Sequence, residues 1–562
     1  MKFSDMPYIR PDIKELKTKL GALTEAVLHA QSFAEADAAF REEEELAAHT
    51  ETMGSLCYIR HSVNTEDAFY AAEQDFFDEA APEMEEAELG FKKALTVCPF
   101  RRELEEKYGS LLFQNIDMAL RTFSPELIPL MQEENKLSTA YAKLIASARI
   151  PFHGEELTVS ELAPYREAED DALRHGAWEA TGGFFMAHRE ELDSIYDRLV
   201  ALRNEMGQKL GYKNYIPLGY DRMDRNSYTA EDVDKFRAAV REYVVPLADS
   251  LYQAQAKRTG LRYPLSYRDS LLTFRDGNPK PVGTADDILK NAQDFYHALS
   301  PETSAFVDVM FRDELMDVLS RKGKEGGGYC TELPDYKAPF VFANFNGTSS
   351  DVETMTHEFG HAFAGWTARD VFPHEYTSPT YESCEIHSMS MEFFGWAWAD
   401  KFYGKDADKF RFSHLSGALT FIPYGTMVDH FQHIVYEKPQ MTPQERIDTW
   451  KELTGIYMPW MQLDDLPFFG EGRAWQRQSH IYENPFYYID YCLAQTVALE
   501  FFALREENPE AAFARYLKLV SFAGTKTFRE LVTGAGLEDP FRPETLKKVC
   551  ETADNWLKQH IL

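Results

Sequence analysis

Cysteine and positive charge are both scarce in this chain of 562 residues. Its six cysteines include no C-x-x-C pair, so a disulfide framework is not indicated and we expect the thiols to be reduced. Lys and Arg number 59 against 92 Asp and Glu, which gives a formal net charge of −33. Because so acidic a surface repels phosphate groups and anionic lipid, we expect neither nucleic acid nor a membrane as a partner.

Long apolar runs are also missing. No stretch approaches the roughly 18 apolar residues of a membrane span, and the first residues lack the apolar run of a signal peptide. Together with the thiols that we expect to be reduced, the missing membrane span and signal peptide predict a cytoplasmic protein. Hydrophobic residues make up 44% of the chain and charged residues 27%, which is typical of a globular protein with a large core.

Helical periodicity dominates what is present. Apolar residues recur at spacings of three and four, as on one helix face, at Ile13, Leu16, Leu20, Leu23 and Val27. Helix-start signals, in which Ser or Thr precedes Pro or stands three residues before an acidic residue, occur at Ser124, Thr158, Thr229, Ser300 and Thr442. The sequence therefore predicts a mainly α fold.

Strand signals are few and local. Residues 149–157 are compatible with a short hairpin that turns near Gly154, and residues 338–346 form the best strand candidate. A weak boundary suggests two parts. We expect an N-terminal helical lobe over residues 1–165 and a catalytic region over residues 166–562.

The most informative motif is His357-Glu358-Phe359-Gly360-His361. On a helix the two histidines, four residues apart, leave the same face and can meet one cation. Glu358 is rotated about 100° from His357 and would lie beside the metal. Zinc held by imidazoles lowers the pKa of its water, and an adjacent carboxylate can take that proton and deliver it to a leaving amine. The spacing thus favours metal-assisted amide hydrolysis.

Zinc in such a site requires a third protein ligand. A histidine six residues after His361 would complete one known pattern, but that position is Thr367. A glutamate from the following predicted helix is the alternative, and spacing alone leaves three candidates open. They are Glu382, Glu385 and Glu392.

Four segments together resemble the thimet oligopeptidase / oligoendopeptidase F family of zinc metallopeptidases, most closely its oligoendopeptidase F and Pz-peptidase branch. The central one is HEFGH, followed 28 residues after its first histidine by the glutamate within YESCEIHSMSMEF. The flanking ones are PDYKAPFVFANFNGT and HIYENPFYYIDYCLAQ.

The resemblance assigns roles by position. It implies one Zn²⁺ per chain, although a site of two histidines and a glutamate accepts other divalent ions as well. Its implied zinc ligands are His357, His361 and Glu385, its general base is Glu358, and Glu392 would orient a ligand histidine. The residues implied to polarise the substrate carbonyl and stabilise the oxyanion are His480, Tyr488 and Tyr491, with Tyr482 and Tyr487 as nearby competitors.

The resemblance also implies an architecture, a large two-lobed helical body with a deep central channel and a small β element beside the gluzincin-like zinc helix. For residues 340–346 two interpretations stay open. Either this segment is an edge strand that pairs with an extended peptide substrate, or it is a buried structural strand. We interpret His430 and His433 as structural, and Cys384 as pointing away from the metal.

The predicted function is that of a zinc-dependent endopeptidase which hydrolyses internal bonds of short, unfolded oligopeptides, with Glu358 as general base on a zinc-bound water. One alternative is a zinc carboxypeptidase on a related helical fold. The other is a non-catalytic helical protein that binds peptides and keeps a vestigial zinc site. The sequence leaves the oligomeric state undetermined.

Overall fold

The first part of the chain is built from six α-helices. The structure, a computed structural model, describes residues 1–560. The buried residues of the first helix are Leu16, Leu20, Leu23 and Val27, which confirms the predicted stripe. The helices are α1 (Ile13–Leu28), α2 (Phe33–Val63), α3 (Ala68–Val97), α4 (Arg101–Tyr108), α5 (Ser110–Ala119) and α6 (Ile128–Ala146).

A two-stranded hairpin follows, as predicted. Strand β1 (Ile150–Phe152) pairs antiparallel with β2 (Glu155–Leu157). The turn places Gly154 at a φ of 87°, where a side chain would be strained, so a glycine suits this position.

The middle of the chain is again mostly helical. Two of its helices begin at start signals predicted from the sequence. Thr229 forms a capping box with Asp232, and Ser300 forms one with Thr303. The elements are α7 (Ala163–Arg166), α8 (Asp171–Ala187), α9 (Arg189–Lys209), α10 (Tyr215–Arg222), α11 (Ala230–Ala239), α12 (Val245–Thr259), β3 (Leu265–Ser266), α13 (Tyr267–Ser270), α14 (Ala285–Leu299) and α15 (Pro301–Arg312).

A three-stranded sheet precedes the zinc-motif helix. It contains β4 (Met316–Leu319), β5 (Tyr329–Leu333) and β6 (Ala338–Phe345), in the order β4-β6-β5. Strand β6 confirms the predicted strand, but it is parallel to β4 on one side and antiparallel to β5 on the other. Because both sides of β6 are occupied, the edge-strand interpretation of residues 340–346 is wrong, and the strand is buried and structural. The edge on this side of the sheet belongs to β5.

The C-terminal part holds the two predicted zinc helices, α16 and α17, and α17 packs against α16 and α22. The elements are α16 (Ser350–Ala368), α17 (Tyr381–Phe394), α18 (Ala399–Tyr403), α19 (Ala407–Glu437), α20 (Pro443–Tyr457), β7 (Met461–Gln462), α21 (Ser479–Glu483), α22 (Tyr488–Glu507), α23 (Pro509–Val520), α24 (Phe528–Gly534) and α25 (Pro543–Gln559). Strand β7 pairs with β3 in parallel.

A deep cavity of about 1090 Å³ lies between the N-terminal helices and the C-terminal part. Tyr58 of α2 and Lys92 of α3 line one wall, and α16 lines another. This matches the two-lobed helical body with a channel that the resemblance implied. The division at residue 165 stays a prediction, because the main hydrophobic core includes α2 and α6 residues together with residues as far as Leu557. None of the helices within residues 1–560 is long and apolar enough to cross a bilayer.

Candidate metal centre

Three side chains from two helices converge at the cavity wall. His357 and His361 leave the same face of α16, and Glu385 reaches them from α17. The Oε2 atom of Glu385 lies 3.1 Å from Nε2 of His357 and 3.3 Å from Nε2 of His361. Their candidate ligand atoms all lie within 4.8 Å of one another.

These separations fit one small divalent ion. A tetrahedral zinc with ligand distances near 2.1 Å places neighbouring ligand atoms about 3.4 Å apart. The two distances to the Glu385 carboxylate lie close to that edge length. Two imidazoles and one carboxylate leave a fourth position for solvent or substrate, as in catalytic zinc sites.

The close crossing of α16 and α17 depends on Gly360, between the two histidines. A Cβ atom at this position would lie 2.7 Å from Cα of Ser388 and 2.8 Å from the carbonyl oxygen of His387. Any side chain there would push the helices apart, and Glu385 would move away from the histidines with α17.

The Glu385 carboxylate is buried, with 2% of its side chain exposed. Burial acts to raise its pKa, but His361 and His357 outweigh burial and hold the pKa well below the usual range. Its Oε2 also accepts a hydrogen bond from Ser388 Oγ at 3.0 Å, and its Oε1 accepts one from the Tyr487 hydroxyl at 2.5 Å. The carboxylate is therefore held ionised, as a metal ligand must be.

Of the other two candidate glutamates, neither joins this cluster. Glu382 is fully buried, and neither carboxyl oxygen has a hydrogen-bond partner within residues 1–560. Burial and the nearby Asp490 raise its pKa well above the usual range. Glu392 instead accepts a hydrogen bond from Nδ1 of His357 at 2.7 Å.

Glu392 lies in a chain of hydrogen bonds that the sequence did not reveal. The indole Nε1 of Trp396 donates to Nδ1 of His414 at 3.1 Å, and Nε2 of His414 contacts the second oxygen of Glu392 at 2.7 Å. An indole nitrogen only donates, so Nδ1 of His414 must accept and its Nε2 must carry the proton. Glu392 then accepts a hydrogen bond from each histidine, and His357 presents the lone pair of Nε2 to the metal position.

His414 comes from α19, 57 residues after the first histidine of the motif. No motif or spacing marks it in the sequence, and only the packing of α19 beside α17 gives it a role.

Glu358 lies in the cavity wall beside the histidines, with only 6% of the residue exposed. Its Oε2 is buried without a hydrogen-bond partner among the described residues. Burial raises its pKa, while His357 and His361 act in the opposite direction. An unpaired carboxyl oxygen next to the metal position is free to exchange a proton.

The aromatic segment is brought to the same cavity, but not with the predicted tyrosines alone. His480, Tyr487 and Tyr491 line the cavity, and Nε2 of His480 lies 3.0 Å from the Tyr491 hydroxyl. Tyr488 does not line it; its ring packs on Phe421 and Tyr424. Tyr487, which the sequence analysis named as a competitor of Tyr488, is therefore the tyrosine that lines the cavity together with Tyr491.

Tyr482 is fully buried, and its hydroxyl donates to the carbonyl oxygen of Leu192, which makes it a core residue. His430 contacts Tyr457 and His433 contacts Tyr220 through hydrogen bonds of 3.1 Å, and neither histidine lines the cavity. Within residues 1–560 the only metal-compatible cluster is the one described above.

The exposed edge of the sheet runs along the cavity. Residues 329–332 of β5 line it, as does the preceding glycine-rich segment 325–328. Gly328 is so close to the motif helix α16 that a Cβ atom there would lie 3.0 Å from Oε1 of Glu358. The strand next to the metal position is therefore β5, and β6 lies behind it.

Two family models match the sequence. Residues 3–123 match the peptidase M3 N-terminal domain, and residues 301–550 match peptidase family M3. Among curated proteins, oligopeptidase PepF of Bacillus subtilis is 23% identical over 270 residues, which cover 46% of this chain and 39% of that protein. The chain thus matches about two fifths of the length of this curated relative.

The similarity to solved structures extends over the whole chain. A structure of Pz peptidase A with an inhibitor is 45% identical, covers 99% of this chain and is itself covered to 99%, with a TM-score of 0.98. Oligoendopeptidase F from Enterococcus faecium is 15% identical over 98% of both chains, with a TM-score of 0.63, and shares the fold.

Proposed function

The chain belongs to peptidase family M3, and on that premise we propose that it is a zinc-dependent endopeptidase of short, unfolded oligopeptides. One observation carries the proposal. An ionised carboxylate and two imidazoles converge at the distances of a zinc site, and the unpaired Glu358 carboxyl lies beside them in a deep cavity.

His357, His361 and Glu385 would hold one divalent ion per chain, for which zinc is the best match to the ligand set. The bound ion would polarise the scissile carbonyl and make a water molecule more acidic. Glu358 accepts the proton of the attacking water and passes it to the leaving amine, since its free oxygen has no competing hydrogen bond.

Tyr491 is the donor best placed to stabilise negative charge on the carbonyl oxygen. The amide nitrogen of Gln478 contacts Nδ1 of His480 at 3.2 Å, and the Tyr424 hydroxyl donates to the other end of that amide. Nδ1 of His480 therefore accepts, and its Nε2 carries the proton towards Tyr491. Burial lowers the pKa of His480 to about 4, so the ring is neutral at pH 7.

Because His480 donates to the Tyr491 oxygen, the Tyr491 proton is free to point at the substrate. Replacing Tyr491 by Phe should lower kcat about 10²-fold with little change in KM, the usual effect of losing one oxyanion donor. Tyr488→Phe is the matched control and should keep kcat within a few-fold, because its hydroxyl does not face the cavity. Steady-state kinetics on a fluorogenic peptide measure both, and an equal loss in the two variants would reject this assignment.

Trp396 acts on the metal through His414 and Glu392. Trp396→Phe removes the donor that fixes the His414 tautomer, so the Glu392–His357 contact weakens and metal affinity should fall about 10-fold. Trp450→Phe is the control, since its indole nitrogen is buried without a hydrogen bond among residues 1–560. Competition with a chromogenic chelator gives both dissociation constants, and an equal shift in the two variants would show a packing effect only.

We further propose that an extended substrate lies along the edge of β5. Main-chain hydrogen bonds to a strand edge hold a peptide largely irrespective of its side chains. The N-terminal lobe, residues 1–165, would form the opposite wall through Tyr58 and Lys92. A channel closed from both sides admits a flexible peptide more readily than a folded domain.

A peptide blocked at both ends tests the function directly. Mass spectrometry should show internal cleavage of an N-acetylated, C-amidated decapeptide at saturating concentration. Activity should disappear with a chelator and return with zinc. A zinc carboxypeptidase would leave this peptide intact but shorten its free-acid form, and a vestigial site would bind both forms without cleaving either.

A further inference from the structure

Two arginines on the channel wall form no ion pair within residues 1–560, although the chain has a net charge of −33. Arg166, at the end of α7, and Arg477 both line the cavity. Among the described residues the guanidinium group of Arg166 donates no hydrogen bond, and its buried Nε and Nη1 atoms are unpartnered. Only 8% of Arg166 is exposed. Arg477 is exposed to the channel and forms no ion pair within residues 1–560.

Each guanidinium group lies near one ring of an aromatic pair. Arg166 lies 5.4 Å from the ring centre of Trp178, and Arg477 lies 5.9 Å from that of Phe469. These two rings contact each other edge to face, with centres 4.9 Å apart. Burial, together with repulsion from Arg477, outweighs the attraction of Glu167 and lowers the pKa of Arg166 to about 10, so Arg166 remains charged at pH 7.

A buried cation without a counter-charge is costly, and proteins normally pair it. Lys92, which lines the same cavity, follows that rule with a 2.5 Å contact to Glu375. Arg166 does not follow the rule that buried cations are paired, and both it and Arg477 line the cavity, where a bound peptide can reach them. Aromatic stacking orients the planar groups, which suits bidentate recognition of a carboxylate.

We propose that Arg166 and Arg477 bind a carboxylate of the peptide substrate, either its C-terminal carboxylate or an Asp or Glu side chain. The inference rests on the proposed peptidase function and adds a substrate preference to it. Arg477 precedes His480 by three residues, so the anchor and the reacting centre share one segment of the channel wall. A C-terminal anchor would fix the distance from the peptide end to the cleaved bond.

The test compares three forms of one neutral decapeptide, namely the free acid, the C-terminal amide, and the amide with one Glu scanned along the sequence. The wild-type protein should show a KM about 10- to 100-fold lower for the form that carries the recognised carboxylate. If the free acid alone gains, the source is the C-terminus; if the amide with Glu at one position gains, the source is a side chain.

Arg477→Gln should abolish this preference while it leaves kcat on the plain amide within a few-fold. Arg166→Gln should do the same if the protein still folds, and Arg477→Gln keeps the test decisive if it does not. The matched control is Lys526→Gln, which removes one positive charge from another part of the same cavity and should keep the preference. If Lys526→Gln and Arg477→Gln lost the preference equally, the cause would be the overall positive charge of the cavity, and the proposal would be overturned.

Binding separates this inference from the proposed function. The three peptides are also titrated, with fluorescence anisotropy as the readout, into the Glu358→Gln variant, which should bind but not cleave. A preference in binding without cleavage by the wild-type protein would contradict the peptidase function and support the carboxylate site. Equal affinity for all three forms would overturn the carboxylate site, whether or not the wild-type protein cleaves them.

Discussion

Glu358→Gln is expected to keep its metal and lose at least about 10³-fold in turnover. The substitution preserves size and leaves His357, His361 and Glu385 untouched, so the metal should remain. It removes an unpaired carboxyl oxygen beside the metal position, and an amide cannot accept and return a proton at neutral pH. Turnover of a fluorogenic oligopeptide and metal content by elemental analysis measure the two halves of this expectation.

Glu325→Gln is the matched control for this variant. Glu325 also lines the cavity, and burial raises its pKa to about 7, but it is not part of the metal cluster. Its replacement should change kcat only a few-fold. Near-normal turnover of Glu358→Gln with full metal content would reject Glu358 as the proton carrier.

Glu385→Gln is expected to weaken metal binding at least about 10²-fold and to abolish activity at ambient zinc. An amide oxygen carries no charge, so the ion loses its one anionic protein ligand and keeps the two imidazoles. The hydrogen bonds from Ser388 and Tyr487, which now support a carboxylate, would face a weaker acceptor. Dissociation constants from chelator competition, with activity measured over a range of zinc concentrations, test this.

Glu382→Gln is a close control because Glu382 lies one turn earlier on α17 and is not part of the metal cluster. The substitution preserves the size of the side chain, and zinc affinity should remain within a few-fold of the wild-type value. If Glu382→Gln lost the metal and Glu385→Gln kept it, the ligand assignment would be wrong.

Local chemistry made the central motif predictable from the sequence. Two histidines four residues apart on a helix face the same way whatever surrounds them, and α16 has this geometry. The amphipathic stripe of α1 and the capping boxes at Thr229 and Thr442 were predictable for the same reason, because each depends on neighbours within one or two turns.

The aromatic segment shows a limit of local reasoning. Spacing predicted Tyr488 and Tyr491 on one helix face, and in α22 their ring centres lie 5.4 Å apart. Tyr487, which directly precedes α22, donates its hydroxyl to Glu385 and lines the cavity. Tyr488 packs against Phe421 and Tyr424 of α19. Because these contacts come from other helices, spacing along one helix could not show which hydroxyl enters the cavity.

The sheet shows the same limit at longer range. Composition identified β6 as a strand, but its place within the sheet depends on β4 and β5. The paired residues lie at least 25 positions apart along the chain for β4 and at least 5 for β5. Pairing partners are chosen by the packing of the whole sheet, so the strand available to a substrate became visible only in three dimensions.

The sequence by itself determined the helical character, the two-histidine helix with its adjacent glutamate, and the acidic surface, because these follow from residue type and spacing along one element. Only the tertiary structure decided that Glu385 faces the histidines while Glu382 lies near Arg225 and Asp490, and that Glu392 is supported by His414 and Trp396. It alone also showed that Arg166 lines the channel and that its buried Nε and Nη1 atoms have no hydrogen-bond partner among residues 1–560. The physical reason is that the role of a buried charged group depends on the groups that contact it, and those groups come from helices that are remote in the sequence.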